Sequence, residues 1–329
     1  MPQPSYPYAC ARISALSKGL FDKAAIKRMA EGSADDAMRM LSDARYGGIA
    51  DAASADVERM IENERCRAAR EIMEISPNPR LTDLLLLSTD VHNLKVLIKA
   101  RLLETADAAF LEGGLYTREA LSAMVAEQDY KALPSELCAS LEALEMRLRV
   151  RVEPQMISVM LDHGYLAHCM QVAKASDDPL AKRYFTALCD FDNLLTFLRM
   201  RAMGAPREEM RAMLLPEGDI SESELLGAYE LSYDSLFNLL TGNGAREALV
   251  RGLNEMLRTG GIGALEKERD NYLLSLVNDG RHEVTTILPI IGYYLAKQRE
   301  AQAIRLIVTV KKNGLDDAVI AERLRELYG

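Results

Sequence analysis

One residue pattern occurs three times along the chain, and this repetition constrains the architecture more than any other feature. It first reads Asp90-Val91-His92-Asn93-Leu94-Lys95-Val96-Leu97-Ile98-Lys99-Ala100-Arg101. It returns as Asp190-Phe191-Asp192-Asn193-Leu194-Leu195-Thr196-Phe197-Leu198-Arg199-Met200-Arg201, and more loosely as Glu300-Ala301-Gln302-Ala303-Ile304-Arg305-Leu306-Ile307-Val308-Thr309-Val310-Lys311. Each copy opens on an acid, places apolar residues at helical spacing and closes on a cation. Self-similarity at a long fixed period means several copies of one structural unit, each burying its apolar face against the others. The spacing divides the chain into three units, 1–105, 106–206 and 207–329.

Within each copy the first strong apolar residue is Leu94, Leu194 or Ile304. Apolar partners follow three and four positions later: Leu97 and Ile98, Phe197 and Leu198, Ile307 and Val308. That is the stripe of a helix packed on one side. Seven positions on, the same face carries Arg101, Arg201 and Lys311. Two readings are open. Each cation answers the negative end of its helix while its stem covers apolar surface, or the three together line a polar socket. Asn93 and Asn193 precede the stripe. Asparagine is a poor residue for a helix interior, so a bond to a neighbouring segment, pinning the helix, is expected of both.

The intervening sequence is also helical in character. Leu, Ala, Met, Glu and Arg dominate, all strong helix formers. Strand-like runs of Val, Ile and Thr between tight turns are nearly absent. An all-α fold is expected. Asp22 is a plausible N-cap, and Ser221 with Glu224 has capping-box spacing. Long helices are predicted over Ser54 to Glu74, Leu81 to Leu103, Glu136 to Arg151, Met156 to Ala175, Leu180 to Met203, Leu265 to Asp279 and Ile287 to Val310. A last one runs from Asp316 to Leu327. Stops fall at Tyr46-Gly47-Gly48, Ser76-Pro77-Asn78-Pro79, Gly204-Ala205-Pro206, Pro216, Gly242-Asn243-Gly244 and Asn313-Gly314. The stretch Gly113-Gly114-Leu115-Tyr116-Thr117-Arg118 resembles Leu20-Phe21-Asp22-Lys23, so the copies repeat more than one helix.

Charge and cysteine usage narrow the classes of function. The net charge is -9 with acids and bases interspersed, which opposes the concentrated basic face of a nucleic-acid binder. Five cysteines without framework spacing read as free thiols. The N-terminus lacks the basic and apolar regions of a signal peptide, and the run from Ile287 to Ala296 is too short to span a bilayer.

Catalytic constellations are weak throughout. His163 and His168 miss the helical spacing of a zinc pair, even with Cys169 alongside. Gly260-Gly261-Ile262-Gly263 follows no strand and lacks the Lys-Ser/Thr ending of a phosphate loop, so a helix connector is expected. Asp190 and Asp192 diverge on one helix and make a poor acid–base pair. No catalytic residue, metal or cofactor is expected.

A resemblance covers nearly the whole chain in order. Tyr8, Arg12, Ile13 and Leu16 match an opening Y-x-x-x-R-I-x-x-L. Asp90, Asn93-Leu94-Lys95, Lys99 and Arg101 match a D-x-x-N-L-K…K-x-K helix, and Asp192-Asn193-Leu194 with Arg199 and Arg201 matches its second form. Glu300, Ile304-Arg305, Lys311 and Asn313-Gly314-Leu315 match the ending. These motifs resemble the C-type subunits of the bacterial and archaeal V/A-type rotary ATPases, counterparts of the d-type subunits in eukaryotic V-type ATPases. Ala303 departs from the pattern, which often has Asn there.

The resemblance implies a funnel of three similar helical domains around a pseudo-threefold axis, present as one copy per complex. It implies partners on two sides, the central-stalk subunits of the D and F type and the membrane proteolipid ring. It further implies a non-catalytic rotor adaptor, peripheral to the inner membrane on its cytoplasmic side, that transmits torque between ATP chemistry and proton or sodium transport. On the residues alone, a helical-repeat scaffold that binds other proteins is the alternative.

Overall fold

A computed structural model describes residues 4–50, 56–103, 110–215, 218–240 and 244–324. Among these residues the secondary structure is helical, without a strand. The predicted helix start at Ser54, the residues Pro216 and Gly242-Asn243, the unit boundary at 105/106 and the helix end at Leu327 lie outside them.

The helices are α1 (Tyr6–Leu16), α2 (Lys23–Glu31), α3 (Ala34–Asp43), α4 (Val57–Ile75), α5 (Pro79–Leu103), α6 (Arg118–Glu127), α7 (Ser135–Leu148) and α8 (Pro154–Ala175). They continue as α9 (Pro179–Ala202), α10 (Arg207–Met213), α11 (Glu222–Ala228), α12 (Tyr233–Leu239), α13 (Ala245–Thr259), α14 (Gly263–Asp279), α15 (Leu288–Lys312) and α16 (Ala318–Arg323). The three repeated patterns form the C-terminal halves of α5, α9 and α15.

Local chemistry accounts for the boundaries. Ser33 and Asp36 form a reciprocal capping box at α3, as Ser221 and Glu224 do at α11. Asp22 accepts from the Ala25 amide at the start of α2, and Asp178 from the amides of Leu180 and Ala181 at α9. Prolines occupy the first turns of α1, α8, α9 and α15, where no amide donor is needed.

The chain forms two compact units. The first combines residues 1–86, 111–115 and 277–329; the second holds 87–110 and 116–276. In the first, α15 lies along α4 and touches α1, α2 and α3. Ile26, Met29, Leu41, Met60, Ile61, Ile304 and Ile307 fill the core between them. The beginning of the chain and its end therefore share one interior. In the second, α7 packs along α8 and α8 along α9, with α10 and α13 also against α9. Its core runs from Leu94 and Ile98 through Leu141, Ile157, Phe191 and Phe197 to Leu249 and Leu265.

Candidate functional site

The opening acid of each repeat does the same job. Asp90 Oδ1 accepts from the Tyr116 amide at 3.3 Å, Asp190 Oδ1 from the Ile220 amide at 3.0 Å, and Glu300 Oε2 from the Phe21 amide at 2.7 Å. All three acids are buried. The residue after each pinned amide is a helix N-cap: Thr117 for α6, Ser221 for α11 and Asp22 for α2. Each long helix thus fixes the entry into a short one, 26 and 30 residues ahead in the first two cases. The third acid reaches back 279 residues to the start of the chain.

Glu300 belongs to a wider buried network. Lys297 Nζ lies 2.7 Å from Glu64 Oε1 and 2.9 Å from Glu300 Oε1, with all three side chains at most 3% exposed. Glu64 Oε2 also accepts from the Gly47 amide, and its Oε1 pairs with Arg67. Burial raises the Glu300 carboxyl above its ordinary range, with Lys297 opposing the rise. A carboxylate in such a place needs both its cation and its amide donors.

The closing cations occupy the last turns of their helices. Arg101 forks onto Glu145, both contacts at 2.8 Å, and donates to the Val125 carbonyl near the end of α6 at 2.7 Å. Tyr130 donates to the same carboxylate. Arg201 stacks on Tyr233 at 4.8 Å and on Phe197 at 5.5 Å, and its Nη1 is buried without a hydrogen bond among the described residues. Lys311 pairs with Asp317 at 2.8 Å just past its own helix. Asn193 clamps one backbone residue from both sides, donating to the Leu215 carbonyl at 2.8 Å and accepting from the Leu215 amide at 2.9 Å. Asn93 is buried in α5, and Ala303 takes the corresponding place in α15.

A cavity of about 600 Å³ opens in the second unit. Lys99 of α5 and Arg199 of α9, which share one position of the repeat, both line it, with Gln155 and Ser158 of α8. Leu198 and Ile262 add apolar wall. Beside it, Lys95 pairs with Asp162 of α8. Arg199 reaches Asp162 at 3.6 Å and Glu266 of α14 at 3.4 Å. Asp192 is buried nearby; burial first, and then the charge of Asp162, push its carboxyl upward against Arg199, Lys95 and Arg269. The Lys99 ammonium is pushed below its ordinary range by burial, then by the charges of Lys95 and Arg199.

The remaining polar candidates go separate ways. His163 Nδ1 lies 3.2 Å from the Met213 carbonyl, and His168 Nδ1 lies 3.1 Å from Glu136. Cys169 is buried, which raises its thiol. The Gly260–Gly263 stretch joins α13 to α14, with Gly260 at φ +76° accepting the left-handed turn that ends a helix. Among the described residues no three His, Cys, Asp or Glu side chains gather as a metal site. No helix there is long and apolar enough to cross a membrane.

Residues 9–323 match the family model described as ATP synthase (C/AC39) subunit. The chain belongs to this family. Over 281 residues it is 24% identical to the C-type subunit of the V-type sodium ATPase of Enterococcus hirae, covering 85% of each chain. It is 26% identical over 347 residues to the C-type subunit of the A-type ATP synthase of Thermococcus onnurineus, covering 98% of this chain and 90% of that one. The corresponding protein of Methanosarcina mazei is 23% identical over 337 residues, covering 97% and 92%. The matched span contains all three repeats of this C/AC39 chain, the amides that their acids hold and the cavity of the second unit. The sequence contained the cavity cations as members of the repeat but did not distinguish their outlook from that of Arg101 and Arg201, two positions on. The only available signal was that Lys99 and Arg199 share one register.

Proposed function

We propose that this chain is the non-catalytic adaptor of a V/A-type rotary ATPase, seating the central stalk on the membrane proteolipid ring. In this reading residues 1–105, 106–206 and 207–329 are three related domains around a pseudo-threefold axis, forming a funnel with one copy per complex. It sits at the cytoplasmic face of the membrane without entering it. The stalk subunits of the D and F type occupy the narrow socket, and the wide face rests on the ring. Torque then passes between ATP chemistry and proton or sodium movement in either direction.

The observation that carries this reading is the cyclic order of the acid pins. The first repeat holds the opening of the second, the second holds that of the third, and the third returns to the first. An open solenoid would leave its terminal repeats capped by polar surface. A chain whose last repeat completes its first supports a closed collar. Such a collar is stiff because close-packed interiors transmit strain with little compression. Arg101, Arg201 and Lys311 serve here as helix-end anchors, Arg101 held by Glu145 and the Val125 carbonyl, Arg201 by the Phe197 and Tyr233 rings, and Lys311 by Asp317.

The test is removal of the subunit from its native complex in sealed vesicles. ATP hydrolysis should persist in the detached head while ion transport stops. Ion pumping that continues unchanged without the subunit overturns the proposal.

A further inference from the structure

We propose that the cavity of the second unit receives one turn at the tip of a stalk segment, presenting a carboxylate flanked by apolar side chains. This rests on the adaptor reading and names the chemistry of its partner at one place. The cavity wall described above carries two cations and no carboxylate among the described residues. Among the described residues Lys99 makes no hydrogen bond and no ion pair, although it is half-buried and faces the like charges of Lys95 and Arg199, which the charge of Asp162 offsets only in part. A cation left in that setting is repaid by an incoming anion. Arg199 is already shared between Asp162 and Glu266, at 3.6 and 3.4 Å, so it sets the field while Lys99 remains the group to be paired.

A helix about 11 Å across with a 5.4 Å pitch displaces roughly 500 Å³ per turn. A cavity of about 600 Å³ has room for a turn of helix or a chain end. Leu198, Met256, Leu257 and Ile262 supply the apolar contact that such a turn would bury, and Gln155 and Ser158 can donate to its carboxylate. Charge complementarity of this kind acts on both approach and retention.

The experiment is direct binding of the purified D- and F-type stalk subunits to the full-length chain. Lys99→Glu should weaken binding at least about tenfold, Lys99→Ala about threefold, and Lys99→Arg less than about twofold. Because Lys99 has no bond to lose, Lys99→Ala and Lys99→Glu should melt no lower than the unaltered chain. Added salt should weaken the unaltered chain more steeply than Lys99→Ala. Equal affinity of Lys99→Glu and the unaltered chain overturns the cavity assignment while leaving the adaptor reading intact. No binding by the unaltered chain overturns both. Unchanged stalk affinity together with Lys99-dependent binding of dansylundecanoate makes the occupant a small amphiphilic anion and overturns the assignment to the stalk.

Discussion

Asp190 is held between two opposing demands. Burial pushes its carboxyl up to about 6, while the amides of Ile220 and Asp219 favour the charged form. The unfolded carboxyl titrates near 3.9. Between those values the folded chain keeps a proton that the unfolded chain has released. The resulting stability is fully present below about pH 4 and lost as pH rises through about 6. Asp190→Asn should flatten that decline, by an amount on the order of 2 kcal/mol, in urea midpoints compared at pH 4 and pH 7. Gly218 makes the same site sterically exacting: a Cβ there would lie 2.2 Å from Asp190 Oδ1. Gly218→Ala should cost about 1–3 kcal/mol by displacing the carboxylate from the Ile220 amide. In an Asp190→Ala background the same substitution should cost little, which a double-mutant cycle measures directly.

At the scale of elements, the repeated helices were legible because their apolar spacing is set by the helix itself. The predicted Leu180 to Met203 and Ile287 to Val310 became α9 and α15 within two residues at each end. The caps at Asp22 and Ser221 were equally local and equally readable. What those helices hold was not. Asp90 and Asp190 mark the pattern in the sequence, but the amides they grip belong to loops that only packing brings near. Glu64 sits in the charged run Glu62-Asn63-Glu64-Arg65, which reads as a solvated face until Lys297 is seen against it. Likewise, residue type could not separate the outlook of Lys99 from that of Arg101. Glu300→Ala removes one partner of a buried ion network and the acceptor of the Phe21 amide together. It should cost about 3–5 kcal/mol in chemical denaturation, with faster hydrogen exchange at Phe21 and Ala25. Glu300→Gln keeps an acceptor oxygen for Phe21 and should cost less.

At the scale of the whole molecule, the two units differ in how far apart in sequence their contacts lie. In the second, α7, α8 and α9 follow one another along the chain and pack in that order. In the first, Phe21 waits for Glu300 across 279 residues, Glu58 for Arg305 across 247, and Glu71 for Tyr293 across 222. Loop-closure entropy must be met before contacts of such separation contribute, which slows the elements that depend on them. The second unit should therefore form first, with α2, α3 and α4 becoming protected only once α15 has docked. Pulse-labelled hydrogen exchange during refolding would show amides of α8 and α9 protected in an earlier phase than those of α2 and α4. Simultaneous protection of both sets would overturn this order. A chain ending at Glu283 should sharpen the contrast: it lacks α15, leaving Ile26, Met29, Met60 and Ile61 without their partners Ile304 and Ile307. Its α2–α4 amides should exchange freely while those of α8 and α9 stay protected. During synthesis the same dependence means that α2, α3 and α4 emerge well before α15, the segment that completes their core.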